Sequence, residues 1–103
     1  MIYTVEQIKA IVKPIAKKYG VLEMYLFGSY ARNEADEQSD LDFAVRGDED
    51  GYLIEHYFSF IDELESVFQK EVDVIFIENV YESATRFENR FAPKFEKDKV
   101  KVA

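Results

Sequence analysis

The sequence predicts an α/β (α+β) fold, one small sheet flanked by helices, and two observations carry that prediction. Three short segments read as strands: 21–27 is an apolar run held between two glycines, 41–45 alternates apolar and polar residues, and 72–77 is again mostly apolar. Around them, apolar residues recur at spacings of three and four over stretches long enough for helices. The 103 residues, 48% of them hydrophobic, with nine Phe and seven Tyr, suit a single domain, 1–103, with one real core.

Taken in order, Thr4 and Gln7 have the spacing of a capping box, and Val5, Ile8, Val12, Ile15 and Tyr19 form the apolar stripe of a first helix. Pro14 removes a backbone donor inside it, so a kink or restart is expected there, and Gly20 closes it. Val21 to Phe27 is a buried strand. Ser29 to Ala35 reads as a short helix begun by a serine cap, followed by a polar turn at 37–39. Leu41, Phe43 and Val45 mark the second strand. Asp48 to Asp50 can cap a long helix with Leu53, Tyr57, Phe60, Leu64 and Phe68 on its buried stripe. Val72 to Ile77 is the third strand. Asn79 with Glu82 repeats the capping-box spacing, Ala84, Phe87 and Phe91 are expected to face inward, and Pro93 to interrupt the last helix before a terminal segment through Val100 and Val102.

Charge narrows the partners. Lys and Arg number 13 against 21 Asp and Glu, a formal charge of −8, and no segment gathers a basic stripe, so long nucleic acid is not expected as a partner. A single NTP remains compatible, because carboxylates can hold a divalent cation that supplies the attraction. Cysteine is absent, which removes thiol chemistry and zinc clusters and leaves oxygen ligands for any metal. The N-terminus lacks a signal-peptide pattern and no apolar run reaches a membrane span, so a cytoplasmic protein with no membrane partner is expected.

The chemistry concentrates in 26–45, LFGSYARNEADEQSDLDFAV. A strand ending in Gly28-Ser29 lets backbone and hydroxyl approach phosphate oxygens, although alone it is an ordinary helix cap. Asp40 and Asp42, one residue apart on a strand, leave the same face with alpha carbons ~7 Å apart. Such a pair repels unless a cation lies between, and Mg²⁺ explains an arrangement that otherwise costs stability; a solvated strand edge is the bland alternative. Asp73 interrupts the apolar strand EVDVIFI, and if that strand neighbours 40–45 it can join the same site as a metal ligand or base; otherwise it is an exposed position paired to a lysine. Arg32 lies one turn beyond Ser29 and reaches either a phosphate or a salt bridge to Glu34 or Asp36. His56 reads as a packing or surface residue. Residues 52–61 are apolar on more than one face, so part of that surface is expected to meet another protein.

Gly28-Ser29, ten residues, then Asp40-Leu41-Asp42, with Asp73 on a later strand, resembles the nucleotidyltransferase superfamily of polymerase-beta type. The size, FGSYAR and SDLDF are similar to its minimal nucleotidyltransferase (MNT) branch. Asn33 stands where the family usually has Gly, and Asn is the best substitute in a left-handed conformation. The resemblance implies a small mixed sheet flanked by helices, Gly28, Ser29 and Arg32 on the nucleotide, and Asp40, Asp42 and Asp73 as catalytic residues on two Mg²⁺ ions. It also implies an antitoxin that transfers AMP from ATP to a tyrosine of a HEPN-type ribonuclease toxin in a hetero-oligomer. The alternative is a module that neutralises the toxin by binding alone.

Overall fold

The computed structural model describes residues 2–81 and 91–103. The chain order is α1 (Val5–Lys18), β1 (Val21–Phe27), β2 (Leu41–Gly47), α2 (Tyr52–Glu55), α3 (Tyr57–Phe68), β3 (Val72–Phe76), α4 (Ile77–Tyr81), α5 (Phe91–Asp98) and β4 (Val100–Lys101). The sheet runs β3-β2-β1-β4, with β1 antiparallel to β2 and β4, and β2 parallel to β3. The sheet is therefore mixed.

Alternation along the strands divides the apolar residues between two faces. Leu41, Phe43, Val45, Val72, Val74, Met24 and Leu26 are buried with Ile8, Val12 and Ile15 of α1 and Phe60, Leu64 and Phe68 of α3. On the opposite face Ala44 packs with Ile77, Val80, Ala92 and Phe95, and the partly buried Tyr25, Phe27 and Ile75 adjoin them. Phe95 anchors α5 there, its ring centroid 6.2 Å from that of Tyr25 and 5.6 Å from that of Phe27. The acidic positions 42 and 73 share this second face.

The first helix starts as its cap predicts. Thr4 Oγ1 accepts from Gln7 N at 3.1 Å, and Gln7 Oε1 accepts from Thr4 N at 2.9 Å. It then runs unbroken through Pro14 rather than restarting, and Gly20 follows it at φ +70. The helix expected from Asp50 to Phe68 is instead two. Asp50 Oδ1 does accept from Tyr52 N at 2.9 Å, but α2 ends after one turn and His56, at φ −108 and ψ 23, separates it from α3. His56 gives its Nδ1–H to the Tyr52 carbonyl at 2.9 Å and stacks on the Tyr52 ring at 4.1 Å, which makes it the packing residue the sequence suggested. The break lets Leu53 settle against Gly47 while Tyr57 turns toward β3, where its hydroxyl donates to the Val74 carbonyl.

Pro93 lies within α5, and residues 82–90, which directly precede that helix, are outside the described residues. Glu82, Ala84 and Phe87 lie outside the described residues, as does the side chain of Phe91. No described helix is long and apolar enough to cross a membrane.

Candidate functional site

β2 is the hub. Its Asp42 stands opposite Phe27 in the antiparallel ladder with β1 and opposite Asp73 in the parallel ladder with β3. The corner after Phe27 and the acidic residue of β3 therefore flank Asp42 from its two sides. The parallel pairing holds the two aspartates in register on one face, near enough for the charge of Asp73 to act on Asp42.

Gly28 has φ +75, a left-handed conformation that disfavours any side chain. A Cβ built there would collide with Asp42 Oδ2. The glycine thus leaves the space in which the carboxylate stands, a role beyond making the turn. The short helix expected over 29–35 is not formed. The chain instead makes one tight turn, in which Arg32 N donates to Gly28 O at 3.1 Å, Glu34 N to Ser29 O at 2.9 Å and Asn33 N to Tyr30 O at 3.3 Å. The spacing of those bonds, four, five and three residues, is a wrapped loop that does not propagate. Asn33 closes it at φ +59, the left-handed conformation expected of it. Ser29 is partly exposed at the corner, and the Tyr30 side chain is buried beneath it.

Asp40 is the residue just before β2 and is exposed. Its charge still acts on Asp42. Among the described residues, no group of three His, Asp or Glu side chains stands ready to hold an ion. What exists is a close pair, Asp42 and Asp73, with Asp40 at the mouth of the strand. Burial first, then the charges of Asp73 and Asp40, push the Asp42 carboxyl from an ordinary 3.8 up to about 6. The charge of Arg32 opposes this shift without cancelling it.

Arg32 carries the ion pairs that the bland alternative named, with a more distant partner added. Its Nε lies 3.4 Å from Glu34 Oε2 and its Nη1 3.2 Å from Asp98 Oδ2 on α5, while Asp36 instead accepts from Gln38 N at 2.8 Å and from the Ser39 hydroxyl at 3.2 Å. A cleft of about 190 Å³ beside Gly28 is lined by Arg32 and also by Lys94 of α5. Sequence reasoning missed Lys94, because only the fold brings that helix to the glycine corner. It also missed Tyr57 and Asn79, which line a larger cleft of about 710 Å³ together with Asp42 and Asp73. Burial and then the charge of Asp73 push the Tyr57 hydroxyl up, which puts that ring within electrical reach of the aspartate. Asp73 itself faces Asp42 rather than a lysine.

Comparison with known proteins agrees with this geometry. Residues 5–102 match the nucleotidyltransferase domain family. A Methanocaldococcus jannaschii protein that carries a protein adenylyltransferase name is 40% identical over 77 residues, 75% of this chain and 82% of that one. A chain solved as a minimal nucleotidyltransferase superposes with TM-score 0.69 at 24% identity, covering 95% of each chain. A complex of tri-AMPylated Shewanella oneidensis HEPN toxin with MNT antitoxin contains a chain that superposes with TM-score 0.60 at 17% identity, over 97% of this chain and 72% of that one. At these identities the two structures speak for the fold.

Proposed function

This chain belongs to the nucleotidyltransferase domain family, and from that premise we propose that it transfers AMP from ATP, with Mg²⁺, to a tyrosine of a HEPN-type toxin and thereby acts as its antitoxin. One observation carries the reading: Asp42 and Asp73 stand in register on neighbouring parallel strands, with the Asp42 carboxyl raised in pKa by burial and by the charge of Asp73, beside a glycine whose missing Cβ leaves room for the Asp42 carboxylate.

That donor set fits magnesium. Two all-oxygen ligands repel each other without a cation, and a third, Asp40, is close enough to be felt. Asp42 and Asp73 would hold the ions, one or two, with Asp40 completing the set. Bound there, magnesium supplies Lewis acidity at the α-phosphate and charge neutralisation for the departing pyrophosphate. The chain's own groups do the rest. Ser29 and the backbone at Gly28 hold triphosphate oxygens, and Asp73 accepts the proton of the attacking hydroxyl. Arg32, with Lys94 beside it, meets the phosphate tail once a carboxylate partner is exchanged for it.

The relative's protein adenylyltransferase name and the AMPylated toxin of the solved complex support a protein acceptor. So does the surface. Ile54 and Phe58 are 70% and 78% exposed, apolar surface that suits a protein partner. The formal charge of −8 suits a basic one.

The test is to incubate the chain with labelled ATP, Mg²⁺ and a HEPN-type toxin. Label on a toxin tyrosine, lost in Asp42→Asn, supports the reading; folded protein that transfers nothing refutes it. An Asp40→Asn, Asp42→Asn double variant that still suppresses the toxin in full would favour neutralisation by binding alone.

A further inference from the structure

The main chain is tied down on both sides of Asp40. Lys70 stands at the corner between α3 and β3, and its Nζ donates to the Glu37 carbonyl at 2.8 Å and to the Ser39 carbonyl at 3.3 Å. Leu41 N donates to the Glu71 carbonyl at 3.2 Å. The two peptide groups that flank Asp40 are therefore both held, the preceding one by Lys70 and the following one by Glu71. Among the described residues, no hydrogen bond or ion pair holds the Asp40 carboxylate itself. Its place is set by its backbone.

The corner that carries Lys70 is itself braced. Gln69 takes φ +56 at the end of α3, and its N–H donates to the Glu65 carbonyl at 2.8 Å. The Glu65 carboxylate accepts from Val72 N at 3.1 Å, and the Gln69 side-chain amide donates to the Ser66 carbonyl at 2.6 Å. The turn before β2 is closed as well, with Ser39 N on the Asp36 carbonyl at 3.1 Å and Gln38 N on the Asp36 carboxylate at 2.8 Å. Lys70 joins these two fixed segments. An ammonium has three donors on a flexible stem, and here it gives two of them to main-chain carbonyls, although Glu37, Asp40 and Glu71 line the same cleft of about 400 Å³. Donors given to carbonyls fix the path of the chain and leave the carboxylates to other partners. Asp40 lines this cleft, whereas Asp42 and Asp73 line the larger one. With its flanking peptides held, Asp40 reaches a cation beside Asp42 by side-chain rotation alone.

We infer that Lys70 is a positioning residue for nucleotidyl transfer: through the Glu37 and Ser39 carbonyls it sets where Asp40 stands relative to Asp42 and Asp73, and it touches neither substrate nor cation. This rests on the magnesium reading above, in which Asp40 completes the ligand set. The corner runs directly into β3, so the turn that brings in Asp73 also seats Asp40. The sign of the effect separates this role from simple electrostatics. Removing a positive charge from the neighbourhood of a cation strengthens its binding, whereas loosening the main chain of a ligand weakens it.

The test titrates Mn²⁺ alone into the full chain and reads the free ion by electron paramagnetic resonance, the Kd of interest being that of the ion lost in Asp42→Asn. Lys70→Met keeps the stem and removes the donors, and is expected to raise that Kd about tenfold or more. Lys70→Arg restores the donors and is expected to return it to near the wild-type value. In an Asp40→Asn background Lys70→Met is expected to change the Kd no further, because the lysine acts through Asp40. Thermal unfolding checks that each variant is folded, and Lys70→Gln replaces a Lys70→Met that is not. An unchanged or lowered Kd in Lys70→Met overturns the proposal, and so does an equal further loss on top of Asp40→Asn. A wild-type chain that holds no Mn²⁺ overturns the magnesium reading and this proposal with it, an outcome distinct from wild-type binding that Lys70→Met leaves intact.

Discussion

Gly28→Ala separates the two jobs of that glycine. At φ +75 an alanine costs about 1–2 kcal/mol in the backbone alone. For a chain of this size that lowers Tm by about 5–15 °C. The added methyl also enters the space held by Asp42 Oδ2, and the carboxylate must rotate out of the site to relieve the overlap. A displacement of an ångström or so at a reacting centre costs about a hundredfold in rate. Gly51→Ala supplies the control, because Gly51 has φ +76 with nothing within 4 Å of its would-be Cβ. It should show the same loss of Tm and keep full transfer activity. The assay is thermal unfolding beside AMP transfer to the toxin, both measured well below the lowered Tm. Equal activities in the two variants, whether both lost or both kept, would refute the assignment of Gly28 to the site.

Four further outcomes follow from the same geometry. Asp42, raised to about 6, holds its proton more tightly folded than unfolded, so its contribution to apo stability is present at low pH and is lost as pH rises from about 4 through 6; the full shift converts to about 3 kcal/mol, which solvent screening of this partly exposed group reduces to about 1–2. Urea unfolding in EDTA from pH 4 to 8 should therefore show Asp42→Asn gaining on wild type as pH rises, and parallel curves would deny the shift. The buried Tyr30 hydroxyl has no hydrogen-bond partner among the described residues, so Tyr30→Phe is expected to stabilise by about 1 kcal/mol, read as a raised denaturation midpoint. Phe43, fully buried on the sheet face opposite Asp42, should cost about 3–5 kcal/mol as Phe43→Ala by the same assay. Lys94→Ala is expected to weaken ATP·Mg²⁺ binding about tenfold by calorimetry through loss of a cation beside Gly28, with the fold unchanged, since the side chain is exposed.

Much of this site was legible in local sequence because local chemistry makes it. The glycines at 20 and 28 bound β1 where the apolar run ends, and Thr4 with Gln7 sets the start of α1. What escaped reading depends on residues distant in the chain. Whether 41–47 and 72–76 lie parallel is decided by α3 crossing between them, and only that pairing sets Asp42 against Asp73. The serine-capped helix over 29–35 dissolved into a turn because its few residues cannot repay helix nucleation, and hydrogen bonds of mixed length satisfy the carbonyls instead. The break at His56 comes from tertiary demand on Leu53 and Tyr57, which the continuous apolar stripe conceals. Asp40 shares the period of the strand but lies outside it. Arg32 meets Asp98, 66 residues away, which no local pattern announces.

Asp42 and Asp73 are expected to hold a divalent cation beside the glycine corner. Mn²⁺ in place of Mg²⁺, titrated with a non-hydrolysable ATP analogue into the labelled chain, reports its seat by paramagnetic broadening of nearby amide signals. The broadening should centre on Asp42, Asp73 and Gly28 and vanish in Asp42→Asn. Broadening centred on the acidic run at 48–50, or unchanged by that substitution, would contradict the account.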